Sequence, residues 1–86
     1  MATVHIPPIL RPLAGGSSLV EAAGSTLREV IADVVRQQPA LADRIADANG
    51  ILPEIMIAIG DTEAMSVDAP VPDGAEVWVL PALAGG

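Results

Sequence analysis

The chain has no cysteine, lysine, phenylalanine or tyrosine, and only one histidine and one tryptophan. Without cysteine it has no disulfide framework, thiol nucleophile or thiolate metal site. His5 is the only histidine, so neither a Ser-His-Asp hydrolase set nor a His-based metal site is supported. No glycine-rich loop carries the lysine that a phosphate cradle uses. Basic residues are also scarce. Four arginines face eleven Asp and Glu, giving a formal charge of −7 and a pI near 4.2. Binding nucleic acid needs clustered cations, so no nucleic-acid partner is expected. A basic protein surface is the natural complement, because opposite potentials steer encounter. Long apolar runs are missing too. Pro53, Glu54, Gly60 and Pro81 interrupt them, far short of the ~20 residues a membrane span needs. No basic segment followed by an apolar run marks a secretory signal. Together these absences read as a cytoplasmic protein.

What is present is an aliphatic globular sequence. Of the 86 residues, 51% are hydrophobic, enough for one small domain. Thr3-Val4-His5-Ile6 alternates and predicts a strand with Val4 and Ile6 inward. Pro7, Pro8 and Pro12 end it, and Ile9-Leu10-Arg11 among them reads as a loop. Gly15-Gly16 marks a turn, and Ser18–Ala22 a second strand forming a hairpin with the first. Ser25 or Thr26 can cap a helix whose Leu27, Val30, Ile31 and Val34 form one apolar stripe. Pro39 ends that helix near Gln38. Leu41 and Ile45 predict a further short helical turn, stopping at Asn49-Gly50.

Glu54–Ile59 alternates again, with Ile55, Ile57 and Ile59 on one face and Met56 and Ala58 on the other. A turn at Gly60-Asp61 precedes a short strand expected at Met65-Ser66-Val67. Pro70, Pro72 and Asp73-Gly74 form another turn region. Asp61, Glu63, Asp68 and Asp73 read as solvated turn residues, with docking the less favoured role. Ala75–Leu80 is the last strand, with Val77 and Val79 inward and Glu76, Trp78 and Leu80 opposite.

The order implies an α+β domain in which a mixed four- to five-stranded sheet carries one main helix on one face. The other face would show His5, Met56, Ala58, Trp78 and Leu80, a partly apolar patch on an acidic protein. Such a patch is a docking surface in waiting, with Trp78, Met56, Ala58 and Leu80 as its contact residues. His5 reads as an ordinary surface residue.

Residues 1–80 would form the domain and 81–86 a flexible tail. Pro81-Ala82-Leu83-Ala84-Gly85-Gly86 carries no side-chain charge and, extended, reaches on the order of 20 Å. Glycine has no Cβ, so the end can thread a slot too narrow for other residues. The reactive group this points to is the main-chain carboxyl of Gly86.

The element order, the entry Gly74-Ala75-Glu76-Val77 to a final strand and the ending Leu80–Gly86 resemble the MoaD/ThiS sulfur carriers, which are β-grasp (ubiquitin-like) proteins. The run Ile6-Pro7-Pro8-Ile9-Leu10-Arg11-Pro12-Leu13-Ala14-Gly15-Gly16 is most similar to the CysO-type carriers of actinobacteria. Met56, Ala58 and Gly60 depart from the pattern, standing where such carriers often have polar residues. A terminal carboxylate, with a pKa of about 3.3–3.7, is anionic at pH 7 and a poor electrophile. The resemblance implies that an ATP-dependent activating enzyme, MoeZ/ThiF-like, adenylates Gly86. Sulfide or a persulfide then displaces AMP to leave a thiocarboxylate. It further implies that Leu83, Ala84, Gly85 and Gly86 enter the partner's active site. The sulfur acceptor would be cysteine synthase-like, using O-phosphoserine, or thiazole synthase-like. The chain itself would be a cosubstrate rather than an enzyme, a monomer when free, with no bound cofactor. Two other readings stay open: a ubiquitin-like modifier joined through Gly86 to lysines, and the small subunit of a molybdopterin synthase-like complex.

Overall fold

The computed structural model describes residues 1–82, and its core forms where the apolar rows of the strands meet the apolar stripe of the helix. Strand β1 is Ala2–His5, β2 is Leu19–Ala22, and helix α1 is Leu27–Gln37. Two short strands follow, β3 at Ala46–Asp47 and β4 at Gly50–Ile51. The remaining strands are β5 at Ile55–Ile59, β6 at Thr62–Ala64 and β7 at Glu76–Pro81. Five of these form one sheet in the order β2-β1-β7-β5-β6. β1 and β7 run parallel at its centre, and the other neighbours are antiparallel. A parallel pair needs a crossover connection, and the chain between β1 and β7 includes α1.

Val4, Ile6, Ile57, Val77 and Val79 are buried on the inner face against Leu27, Val30, Ile31 and Val34 of the helix. Ile55 and Ile59 pack on the edge of this core. Among the described residues, every buried one is apolar or a proline. The aliphatic composition thus produces a core with no polar group to satisfy.

Helix α1 starts where the sequence permits it. Thr26 is the cap, and its Oγ1 accepts the Glu29 N–H at 3.3 Å. The Glu29 carboxylate reaches back to the N–H of Ser25 at 2.7 Å, a variant of the capping box. At the other end Pro39 cannot continue the helix, and Gln38 closes it with an N–H bond to the Val34 carbonyl.

Four expectations change. Ile9-Leu10-Arg11 belongs to a 3-10 helix, Pro8–Ala14, rather than a loop. Proline pre-sets φ for a first helical turn, and burial of Leu10 and Ala14 holds the segment down. The turn of helix foreseen up to Asn49-Gly50 stops early, as a 3-10 turn at Pro39–Leu41. Asp43 then takes a positive φ of 60°, and Asp47 accepts the Asn49 N–H at 2.8 Å, turning the chain into the β3–β4 hairpin. Leu41 and Ile45 are nonetheless both buried.

The short strand lies at Thr62–Ala64, not Met65–Val67. The two-residue turn Gly60-Asp61, with Gly60 at φ 64°, forces pairing to begin at Ile59 opposite Thr62. Glu63 is therefore a strand residue and not part of a turn. The last strand runs one residue further than expected, with Pro81 opposite Ile55.

Candidate functional site

The outer sheet face is built by register. Residues directly opposite one another on neighbouring strands share a face. Leu19 pairs with His5, His5 with Trp78, Trp78 with Ala58, and Ala58 with Glu63. One row thus crosses all five strands. A second, shorter row holds Met56 opposite Leu80. The structure brings together Trp78, Met56, Ala58 and Leu80, with His5 beside them.

Along β7 the chemistry changes. Glu76 comes first and pairs with Thr3, whose hydroxyl donates to Glu21 at 2.7 Å. Trp78 stands in the middle, and Leu80 lies at the end nearest the tail. The face is therefore acidic away from the tail and apolar next to it. No cation lies on these two rows, in keeping with the −7 charge of the chain.

His5 does more than its sequence context indicates. Its ring stacks on Trp78 with centroids 3.5 Å apart and planes 7° from parallel. Its Nε2 lies 2.7 Å from Glu76 Oε1, placed to donate to the carboxylate. The indole is thereby held in one orientation while remaining 39% exposed. The only sequence clue to this contact is that both residues occupy outward positions on adjacent strands. Pairing of β1 with β7 is long-range, so the sequence does not state it.

The root of the tail is flanked by two hollows. One, of about 320 Å³, has walls from Pro8, Arg11, Trp78, Leu80 and Pro81. Arg11 is fixed there by donating its Nε–H to the Ile6 carbonyl at 3.0 Å. The other, of about 460 Å³, includes Ile9, Leu13, Leu52, Ile55 and Ala82. The proline-rich 3-10 segment contributes to both hollows, Pro8 and Arg11 to one and Ile9 and Leu13 to the other. Ala82 is tied back by its N–H to the Glu54 carbonyl at 2.8 Å. The expected tail residues Leu83, Ala84, Gly85 and Gly86 lie outside the described residues.

Among the described residues no group of three or more His, Cys, Asp or Glu is arranged to hold a metal. No helix there is long and apolar enough to cross a membrane. Asp33 and Glu29 have carboxyl pKa values below the usual carboxylate range. Glu29 is lowered chiefly by the Ser25 backbone N–H and Asp33 by that of Ala23, with Arg36 adding to the latter. Both belong to helix α1, remote from the outer face, and serve the fold.

Known proteins resemble this chain in sequence and fold. The ThiS family model matches residues 4–86. The sulfur carrier protein CysO of Mycobacterium tuberculosis is 37% identical over 90 residues, covering 98% of this chain and 97% of its own length. A chain of the Amycolatopsis orientalis BexX/CysO complex superposes with a TM-score of 0.90 at 35% identity, covering both chains completely. The crystal structure of Mycobacterium tuberculosis CysO gives 0.88 at 31% identity, over 96% of this chain and all of that one. The fold is the β-grasp expected from the sequence.

Proposed function

This chain belongs to the ThiS family, and from that membership we propose that it is a sulfur carrier of the CysO type, acting through the main-chain carboxyl of Gly86. The observation that carries the reading is a near-full-length likeness to CysO together with a family match that includes Gly85-Gly86.

The chemistry runs in three steps. An activating enzyme of the MoeZ/ThiF kind joins the Gly86 carboxylate to AMP from ATP, releasing pyrophosphate. Sulfide attacks the acyl carbon and expels AMP, so one oxygen of the carboxylate is replaced by sulfur. Where a persulfide attacks instead, it leaves an acyl disulfide, and a thiol cleaves its S–S bond to release the thiocarboxylate and form a disulfide. The resulting thiocarboxylate is the nucleophile that a biosynthetic enzyme consumes. Sulfur leaves by formation of a carbon–sulfur bond to the acceptor, and hydrolysis of the acyl–sulfur bond restores the carboxylate. The chain is thus a cosubstrate, used and regenerated. The absence of cysteine suits it, since no side-chain thiol competes for the activated acyl group.

The fold's part is presentation. β7 lies inside the sheet, paired on both sides, so the chain that leads to Gly86 is held at its root. The outer face, with Trp78, Met56, Ala58 and Leu80, is the docking surface beside it. A relative's assembly with BexX supports a role in which a partner protein is bound. The accepting enzyme is cysteine synthase-like, in line with the resemblance to CysO, or thiazole synthase-like.

The test is intact-mass measurement. With ATP, an activating enzyme and a sulfur source, the protein should gain about 16 Da, the oxygen-to-sulfur difference at one activated carboxyl. A mass that stays unchanged with several CysO-activating enzymes overturns the reading. Gly-Gly remnants on target lysines, with no free thiocarboxylate, would instead identify a protein modifier.

A further inference from the structure

The cross-sheet row contains a gap. Trp78 is flanked on one side by His5, whose ring covers one indole face at 3.5 Å. On the other side the register places Ala58, and beyond it Glu63. A methyl group is too small to cover an indole, and Trp78 remains 39% exposed. Neighbouring strands are ~4.8 Å apart, so the backbones of Trp78 and Glu63 stand roughly 10 Å from each other. That spacing admits one flat side chain between an aromatic plane and a carboxylate, over a small floor.

We propose that this gap receives an arginine side chain from the enzyme on which the carrier docks, its guanidinium stacked on Trp78 and hydrogen-bonded to Glu63. A guanidinium is planar, stacks on aromatic faces and meets a carboxylate with two parallel N–H donors. An ammonium matches neither the flat gap nor the bidentate carboxylate. Charge complementarity points the same way. The face carries Glu21, Glu63 and Glu76 and no cation on its central rows, on a chain of net charge −7. Glu76 is already engaged by His5 at 2.7 Å, which leaves Glu63 as the carboxylate for the guest. His5 is the positioning residue: its stack and its bond to Glu76 fix the indole plane before a partner arrives, lowering the ordering cost of docking. The proposal rests on the carrier reading only for the identity of the host enzyme. The gap itself is a property of the sheet.

Full-length protein labelled with nitrogen-15 is titrated with Nα-acetylarginine amide and, in parallel, with Nα-acetyllysine amide. The arginine probe should give saturable shifts centred on the Trp78 indole N–H and the Ala58 and Glu63 amides, and the lysine probe weaker ones. Glu63→Gln should weaken the arginine response roughly two- to five-fold, the scale of an exposed cation–π contact with its ion pair. Ala58→Leu should fill the gap and remove the response, with the dispersion of the remaining amides showing that the sheet is intact. His5→Ala should weaken the arginine response, whereas a purely structural His5 would leave that response in place in folded protein. Equal shifts with both probes, shifts spread evenly over all acidic residues, or an unchanged response in Glu63→Gln overturn the proposal. The mass-gain assay is scored separately. Arginine binding at the gap without thiocarboxylate formation removes the carrier reading and keeps the site. Mass gain without arginine binding does the reverse.

Discussion

The rings of His5 and Trp78 lie 3.5 Å apart and 7° from parallel, one on each strand of the central parallel pair. Trp78 is the sole tryptophan in a chain without tyrosine or phenylalanine, so the emission of the protein reports this site alone. Replacing His5 with Ala should alter the emission maximum and intensity. Stability should fall by about 0.5–1.5 kcal/mol, the usual worth of an aromatic pair. Identical spectra for the wild type and the variant would show that the stack does not persist in solution.

Ile57 faces Val79 across β5 and β7, and both are buried. Ile57→Ala removes atoms from the centre of a small aliphatic core and should cost about 2–5 kcal/mol. Trp78→Ala, on the outer face, should cost less. Urea denaturation of the two variants gives the comparison, and equal losses would contradict the assignment of the two faces.

Gly24 stands at φ 149°, and a Cβ there would lie 2.8 Å from Glu29 Cβ and from the Val30 nitrogen. Gly24→Ala should therefore strain the entry to α1 and cost about 1–3 kcal/mol. Gly16, at φ 83°, would place a Cβ in open space, so Gly16→Ala bears backbone strain without the clash and should lose less. A thermal midpoint for Gly24→Ala at or above that of Gly16→Ala would refute the close approach.

Glu29 and Asp33 both have folded-state pKa values below their usual 4.5 and 3.8. A depressed carboxyl contributes stability that is present above its unfolded value and lost as pH falls through the folded one. The urea midpoint should accordingly decline as the solution is acidified below about 4.5. The double variant Glu29→Gln, Asp33→Asn should show a shallower decline. An unchanged acid slope in that variant would place the sensitivity elsewhere.

Removal of Gly86 should leave the sheet intact, because β7 ends at Pro81 and Ala82 is tied to Glu54 by its N–H. Denaturation should match the full chain within about 0.5 kcal/mol. The mass gain with activating enzyme, ATP and sulfide should disappear. If the shortened protein still accepted sulfur, the terminal carboxyl of Gly86 would not be the carrier group.

Much of the fold was legible in the sequence because its rows are regular. Alternation in Val4/Ile6, Ile55/Ile57/Ile59 and Val77/Val79, and the 3-4 spacing of Leu27, Val30, Ile31 and Val34, assign inward faces without any knowledge of neighbours. The misplaced elements lie where periodicity is too short to speak. Ile9-Leu10-Arg11 reads as a loop because the prolines around it obscure the pattern. At Leu41–Gly50 two buried residues spaced four apart mimic a helix, while the Asp47–Asn49 hydrogen bond directs a hairpin. Glu63 reads as a turn residue because its strand has only three residues.

The site divides in the same way. The sequence by itself determined which side chains point outward on each strand, the acidic balance and the Gly-Gly ending, since alternation and composition are local properties. Only the tertiary structure decided that Leu19, His5, Trp78, Ala58 and Glu63 form one row, that His5 holds the indole and that a gap opens beside it. Those facts depend on which strands become neighbours and in what register. Strand order is set by the packing of the whole core on α1, and no single stretch of the chain contains it.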